Sequence, residues 1–231
     1  MAAAGVVLVG ASLTGCHPIT AAQGPAGPRS VPTRDSVSGS AVKALAGLQV
    51  RAKGSMAGYT RTAFGPAWSD DTSDPDGHNS CLTRDDILAR DLTQVTYRSG
   101  HCTVATGTLR DPYTGKTIHF VRGPKSAAVE IDHVVPLADA WVVGAAQMTA
   151  VQREDLAEDP LELLAVDGAT NEAKGDDDAS QWLPPATGYD CPYVARQIAV
   201  KSKYHLWITA AEKTAMQKIL VACPNQKLPT E

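Results

Sequence analysis

The spacing of the cysteines constrains this chain more than any other feature. Cys81, Cys102, Cys191 and Cys223 lie far apart, with no C-x-x-C pair among them, and Cys16 stands alone near the start. An even set at wide spacing reads as two disulfides, and therefore as a chain that folds outside the reducing cytoplasm. Four cysteines allow three pairings; Cys81 with Cys102 and Cys191 with Cys223 is favoured, because each pair brackets one compact segment. A zinc site is the rival, but zinc ligands usually arrive in close pairs.

The first fifteen residues point to the same compartment. An apolar run from Ala2 to Leu13, too short to cross a bilayer as a stable helix, leads into Leu13-Thr14-Gly15-Cys16. Residues 1–16 read as a signal peptide ending in a lipobox, whose cysteine, Cys16, would be lipidated and would tether the protein to a membrane surface. The basic residues that usually precede such an apolar core are missing here. Residues 17–40 carry Pro18, Pro25, Pro28 and Pro32 among small polar residues and read as a flexible tether.

From 41 to 231 the chain reads as one domain. Its 231 residues are 43% hydrophobic and 20% charged, enough apolar content for a sizeable core. Val42, Leu45, Leu48 and Val50 suggest a short helix or extended start. Thr83 followed by Asp86 predicts an N-capped helix through Leu92. Three segments rich in Thr, Val, Ile and aromatics (Val95–Tyr97, Thr103–Leu109 and Thr117–Val121) predict strands, separated by turns at Ser99-Gly100 and at 111–115. Val129–Val135 and Leu161–Val166 predict two further strands. Helices are expected near Leu137–Ala146, after Thr149 with Gln152 as its capping partner, over Tyr193–Tyr204, and over Ala210–Ala222 behind a Thr209/Glu212 capping box.

The chemistry concentrates in Glu130-Ile131-Asp132-His133-Val134-Val135-Pro136-Leu137. Strand alternation puts Glu130 and Asp132 on one face, where hard oxygen ligands suit a divalent cation, and His133 emerges at the strand end as a base with an ordinary pKa of about 6.5. Downstream, Asn171-Glu172-Ala173-Lys174 follows the next strand, and a helix there would put Asn171 and Lys174 on one face. Strand, strand and helix carrying Asp-His first and Asn-x-x-Lys last resemble the ββα-metal, or His-Me finger, core of HNH endonucleases, in the variant with Asn as the final residue. Tyr59-x-Arg61-x-x-Phe64-Gly65-x-x-Trp68, Thr83-Arg84-Asp85-Asp86-Ile87-Leu88, Asp159-Pro160-Leu161 and Gln181-Trp182-Leu183-Pro184-Pro185 are similar to exported actinobacterial members of that family.

The resemblance implies an α+β fold, a ββα-metal core with added β-hairpins and C-terminal helices. It also implies a metal-dependent endonuclease that cleaves DNA with low sequence specificity and leaves 5′ phosphates. Asp132 and Asn171 would be metal ligands, with Glu130 beside them, and His133 the base that activates water. The expected ion is Mg²⁺, with Mn²⁺ as a substitute. Lys174, Arg61, Arg84 and Arg122 are candidate phosphate contacts. The middle Asn of the signature is replaced by Glu162, nine positions before Asn171. A carboxylate accepts hydrogen bonds but does not donate while ionised, so the loop that this Asn braces would be held differently.

The net charge of −4 is unlike that of a tight nucleic-acid binder. From Cys191 onward, however, six Lys or Arg face two acids, and Arg196, Lys201 and Lys203 could form one edge of a phosphate-binding surface. Weak, transient binding is the expectation. An acidic loop at Asp70, Asp71, Asp74 and Asp76 suggests Ca²⁺ without the full loop spacing. The rival reading is accordingly a non-catalytic, calcium-stabilised surface lipoprotein that binds a cell-wall or protein partner.

Overall fold

The computed structural model describes residues 40–98 and 100–230. The signal peptide, the lipobox cysteine Cys16 and the tether to residue 39 lie outside the described residues. The fold is mixed α+β with two small antiparallel sheets. Helix α1 (Ala41–Gly47) is followed by α2 (Thr83–Asp91) and by a meander of β1 (Leu92–Tyr97), β2 (Val104–Arg110) and β3 (Thr117–Val121). Strand β4 (Val129–His133) pairs with β5 (Leu163–Asp167), with α3 (Leu137–Val142) and α4 (Ala150–Glu158) between them. Helix α5 (Gly168–Lys174) leaves β5 directly, and α6 (Asp190–Lys203) and α7 (Ala210–Leu220) close the domain.

Local sequence accounts for most boundaries. Thr149 accepts from the backbone N–H of Gln152 while the Gln152 side chain accepts from Thr149, a complete capping box for α4. At α7 the box is half made: Thr209 accepts from the Glu212 N–H, but the Glu212 carboxylate is drawn inward to Lys201. Thr83 is not the cap of α2. It is the first helical residue, and its hydroxyl donates to the Ser69 carbonyl instead. The helix expected over Leu137–Ala146 breaks at Gly144, whose φ of 140° is open to glycine and not to side-chain-bearing residues.

The pair β4–β5 is wedged between two cores. Val129, Ile131, Leu163 and Ala165 pack with Ile87, Leu88 and Phe120 toward α2 and the meander. Leu164 and Val166 face the opposite way, into a larger helical core containing Trp141, Tyr193 and Ile198. Period-two alternation with both faces buried is what a short central strand pair requires. The disulfides Cys81–Cys102 and Cys191–Cys223 have Cα separations of 5.1 and 6.4 Å. The first joins the entry of α2 to the start of β2, and the second joins α6 to the end of α7.

Candidate functional site

The site grows from the fit between a strand and a helix. Side chains two apart on β4 face α5, where side chains three apart share a face, so two contacts form in register. The Asn171 amide donates to Glu130 Oε2 at 2.9 Å, and the Lys174 ammonium donates to Asp132 Oδ1 at 2.8 Å. Close packing at the start of α5 depends on Gly168: a Cβ there would sit 2.0 Å from the Ala127 carbonyl oxygen.

Asp132 is buried, and both its oxygens are engaged. Lys174 holds Oδ1 and the Tyr113 hydroxyl donates to Oδ2 at 2.5 Å. Burial pushes its carboxyl up, and Lys174 and Tyr113 pull it back down. Lys174 is itself 1% exposed and also donates to the His133 carbonyl at 2.7 Å. It is therefore the internal counter-charge of Asp132, a correction to its reading as a phosphate contact.

His133 turns to the other side of the strand. Its Nε2 lies 3.0 Å from the Ala157 carbonyl, which can only accept, so Nε2 carries the proton and Nδ1 is left as a lone-pair acceptor. The Trp68 ring stacks on the imidazole at 6.1 Å between centroids and 18° between planes. Burial and the nearby Arg61 cation push the imidazole pKa down to about 3, so it is neutral at physiological pH.

Asp132, His133 and Asn171 line one cavity of about 220 Å³, together with Tyr59, Arg61 and Lys174. A second cavity, about 360 Å³, is lined by Arg61, Arg84, Glu130 and Asn171. Arg84 thus stands within reach of an anion bound next to the strand, while its guanidinium also donates to the Val129 carbonyl at 3.4 Å. Arg122 is committed elsewhere: it is ion-paired with Asp85, donates to the Val104 carbonyl, and lines neither cavity.

The C-terminal cations do not form a phosphate-binding edge. Lys201 is fully buried against Asp139 and Glu212, Lys203 pairs with Asp159, and Arg196 donates to the Pro160 and Leu161 carbonyls. Nor does the acidic loop gather ligands. Among the described residues no three of its carboxylates converge on a common point, and Asp70 caps a turn by accepting from the N–H groups of Asn79 and Ser80. The Ca²⁺ expectation therefore has no support in the loop. Among the described residues the one convergent group, Cys81, His101 and Cys102, contains the disulfide sulfurs.

Glu162 is fully buried and accepts the Val135 N–H at 3.2 and 3.3 Å, bracing the loop that follows His133. Burial holds its carboxyl well above the usual range, and a carboxylic acid can donate as an amide does. Sequence reading missed two residues of the site. Tyr113 sat in a segment legible only as a turn, and Trp68 was visible only as part of a longer motif.

Residues 82–219 match the profile of the C-terminal domain of GmrSD restriction endonucleases. That match supports a nuclease family, and DNA as the substrate of such an endonuclease. A protein of the fungus Arthroderma benhamiae, described as an uncharacterized secreted protein, is 39% identical over 200 residues, covering 85% of this chain and 92% of that relative. No solved structure matches.

Proposed function

The chain belongs to the family of GmrSD restriction endonuclease C-terminal domains, and from that premise we propose that it is a metal-dependent endonuclease of the HNH type that hydrolyses DNA phosphodiesters outside the cytoplasm. The observation that carries this reading is the single cavity shared by Asp132, His133, Asn171 and Arg61.

The donor set fits a hard divalent cation. With its Nδ2 donating to Glu130, Asn171 has its amide oxygen free as a ligand, and Asp132 keeps one lone pair on each oxygen after the bonds from Lys174 and Tyr113. Two oxygen donors suit Mg²⁺ or Mn²⁺, which retain much of their water. Glu130 acts by orienting Asn171 rather than as a ligand. When bound, such a cation supplies Lewis acidity to the phosphate and stabilises charge on the departing 3′ oxygen.

The chain's own residues do the rest. His133 Nδ1 takes a proton from water, whose oxygen attacks phosphorus. The bond to the 3′ oxygen breaks, that oxygen is protonated by solvent, and the phosphate stays on the 5′ side. The Ala157 carbonyl fixes the tautomer this requires. Arg61 neutralises the phosphate at the cavity mouth. The two disulfides and the secreted relative support an extracytoplasmic setting; lipid anchoring through Cys16 is a further proposal that rests on the lipobox alone.

The test is cleavage of plasmid DNA across a Mg²⁺ and Mn²⁺ titration. Nicking is expected that saturates with metal, disappears with chelator, and is lost in Asn171→Ala. Intact plasmid at every metal concentration would return the chain to the reading of a binding protein.

A further inference from the structure

A third cavity, about 130 Å³, adjoins the site from the far side of His133. Its walls are Phe64, Pro66, Trp68 and Leu137, with His133 and Arg61 at the boundary with the catalytic cavity. Nothing in the hydrolysis described above uses it. Its composition is that of a place for a flat apolar ring whose attached group is anionic: aromatic and aliphatic side chains enclose the space, and a guanidinium stands where the charge would lie.

Two other observations point to Trp68 as the built element of that space. Its φ is 61°, in the left-handed region that bulky aromatic residues rarely adopt. That conformation is held by a bond from the Trp68 backbone N–H to Glu158 Oε1, 2.9 Å long, and Glu158 belongs to the same cavity. Arg61, for its part, lines all three cavities, and among the described residues no carboxylate pairs with it. One cation therefore connects the apolar cavity, the catalytic cavity and the cavity beside Arg84.

Resting on the nuclease reading, we propose that the Trp68 cavity seats one unstacked nucleobase next to the scissile phosphate, while the backbone runs past Arg61 toward Arg84, so that the preferred substrate is single-stranded nucleic acid. A base in a duplex must leave its stack to reach a cavity whose wall is His133, and that cost falls only on the duplex. Stacking on an aromatic ring tolerates every base, which agrees with low sequence specificity. Two arginines at the cavities suit brief binding to a short stretch of backbone better than a grip on a long duplex.

The experiment measures binding of three labelled 12-mers to the oxidised full chain in chelator: oligothymidylate, an abasic strand of the same charge, and a blunt duplex. Oligothymidylate is expected to bind about tenfold or more tightly than either of the others, as one stacked base would give. In Trp68→Ala that preference should collapse toward unity, and Trp68→Phe should keep most of it. Were Trp68 only a prop for His133, both variants would leave the binding ratio unchanged. An unchanged ratio in Trp68→Ala, equal binding of the three, or binding of none overturns the proposal. Plasmid cleavage is scored separately. Base-dependent binding without cleavage removes the nuclease reading and keeps the base site, whereas cleavage without base-dependent binding does the reverse.

Discussion

Lys174 and Lys201 are both sealed from water, at 1% and 0% exposure, and both sit against carboxylates. Lys201 bonds Asp139 and Glu212 at 3.1 and 2.6 Å, and Asp139 in turn binds Lys53 at 2.9 Å, so three elements and the segment before them are stitched through one buried cluster. Lys174 bonds one carboxylate, Asp132, and one carbonyl, that of His133. The first cluster lies in the helical core and meets none of the three cavities that Arg61 lines; the second forms part of the wall of the proposed catalytic cavity. The same pairing of buried charges thus holds the fold in one place and shapes the proposed reaction site in the other, and the difference lies in what the carboxylate can still reach.

Lys201→Met strands the buried Glu212 carboxylate and leaves Asp139 with Lys53 alone, and should cost about 5 kcal/mol in urea denaturation, enough to threaten folding. Lys174→Met should cost less, about 3 kcal/mol, because the Tyr113 hydroxyl still holds Asp132. That variant should also lose cleavage in conditions where it remains folded; equal costs for the two lysines would dissolve the distinction. Tyr113→Phe removes one bond to the carboxylate and should cost about 2 kcal/mol. The smallest effect is one of pH. Burial, against the bond from the Trp68 N–H, raises the Glu158 carboxyl to about 7 from its unfolded value near 4.5. The folded state then binds more protons than the unfolded state between those values, so this group's contribution to stability declines as pH rises from 4.5 to 7. Glu158→Gln should flatten the urea midpoint across that window, and an unchanged slope would assign the dependence to another group.

Periodicity and capping chemistry made much of the fold legible. Thr117–Val121 reads directly as β3, and the Thr149/Gln152 box opens α4 where residue identity places it. The rest depends on contacts that no local pattern encodes. Thr83 has the chemistry of a cap, yet its hydroxyl is taken by Ser69, fourteen residues away. Lys174, Lys201 and Arg122 read as surface cations because helix and strand spacing give a face, not what covers it; each finds its partner across the fold. The Asp-His pair and the downstream Asn were visible as a spacing, but the engagement of both Asp132 oxygens by Lys174 and Tyr113 was not.

The central claim is that His133 performs chemistry in the cavity that Asp132 and Asn171 also line. The direct measurement is His133→Ala, with plasmid cleavage and unfolding free energy taken on the same preparation. The account predicts that cleavage falls by at least about a hundredfold, the scale of a lost general base, while the protein remains folded. Cleavage that persists near the wild-type rate, or that falls only in step with unfolding, would contradict it.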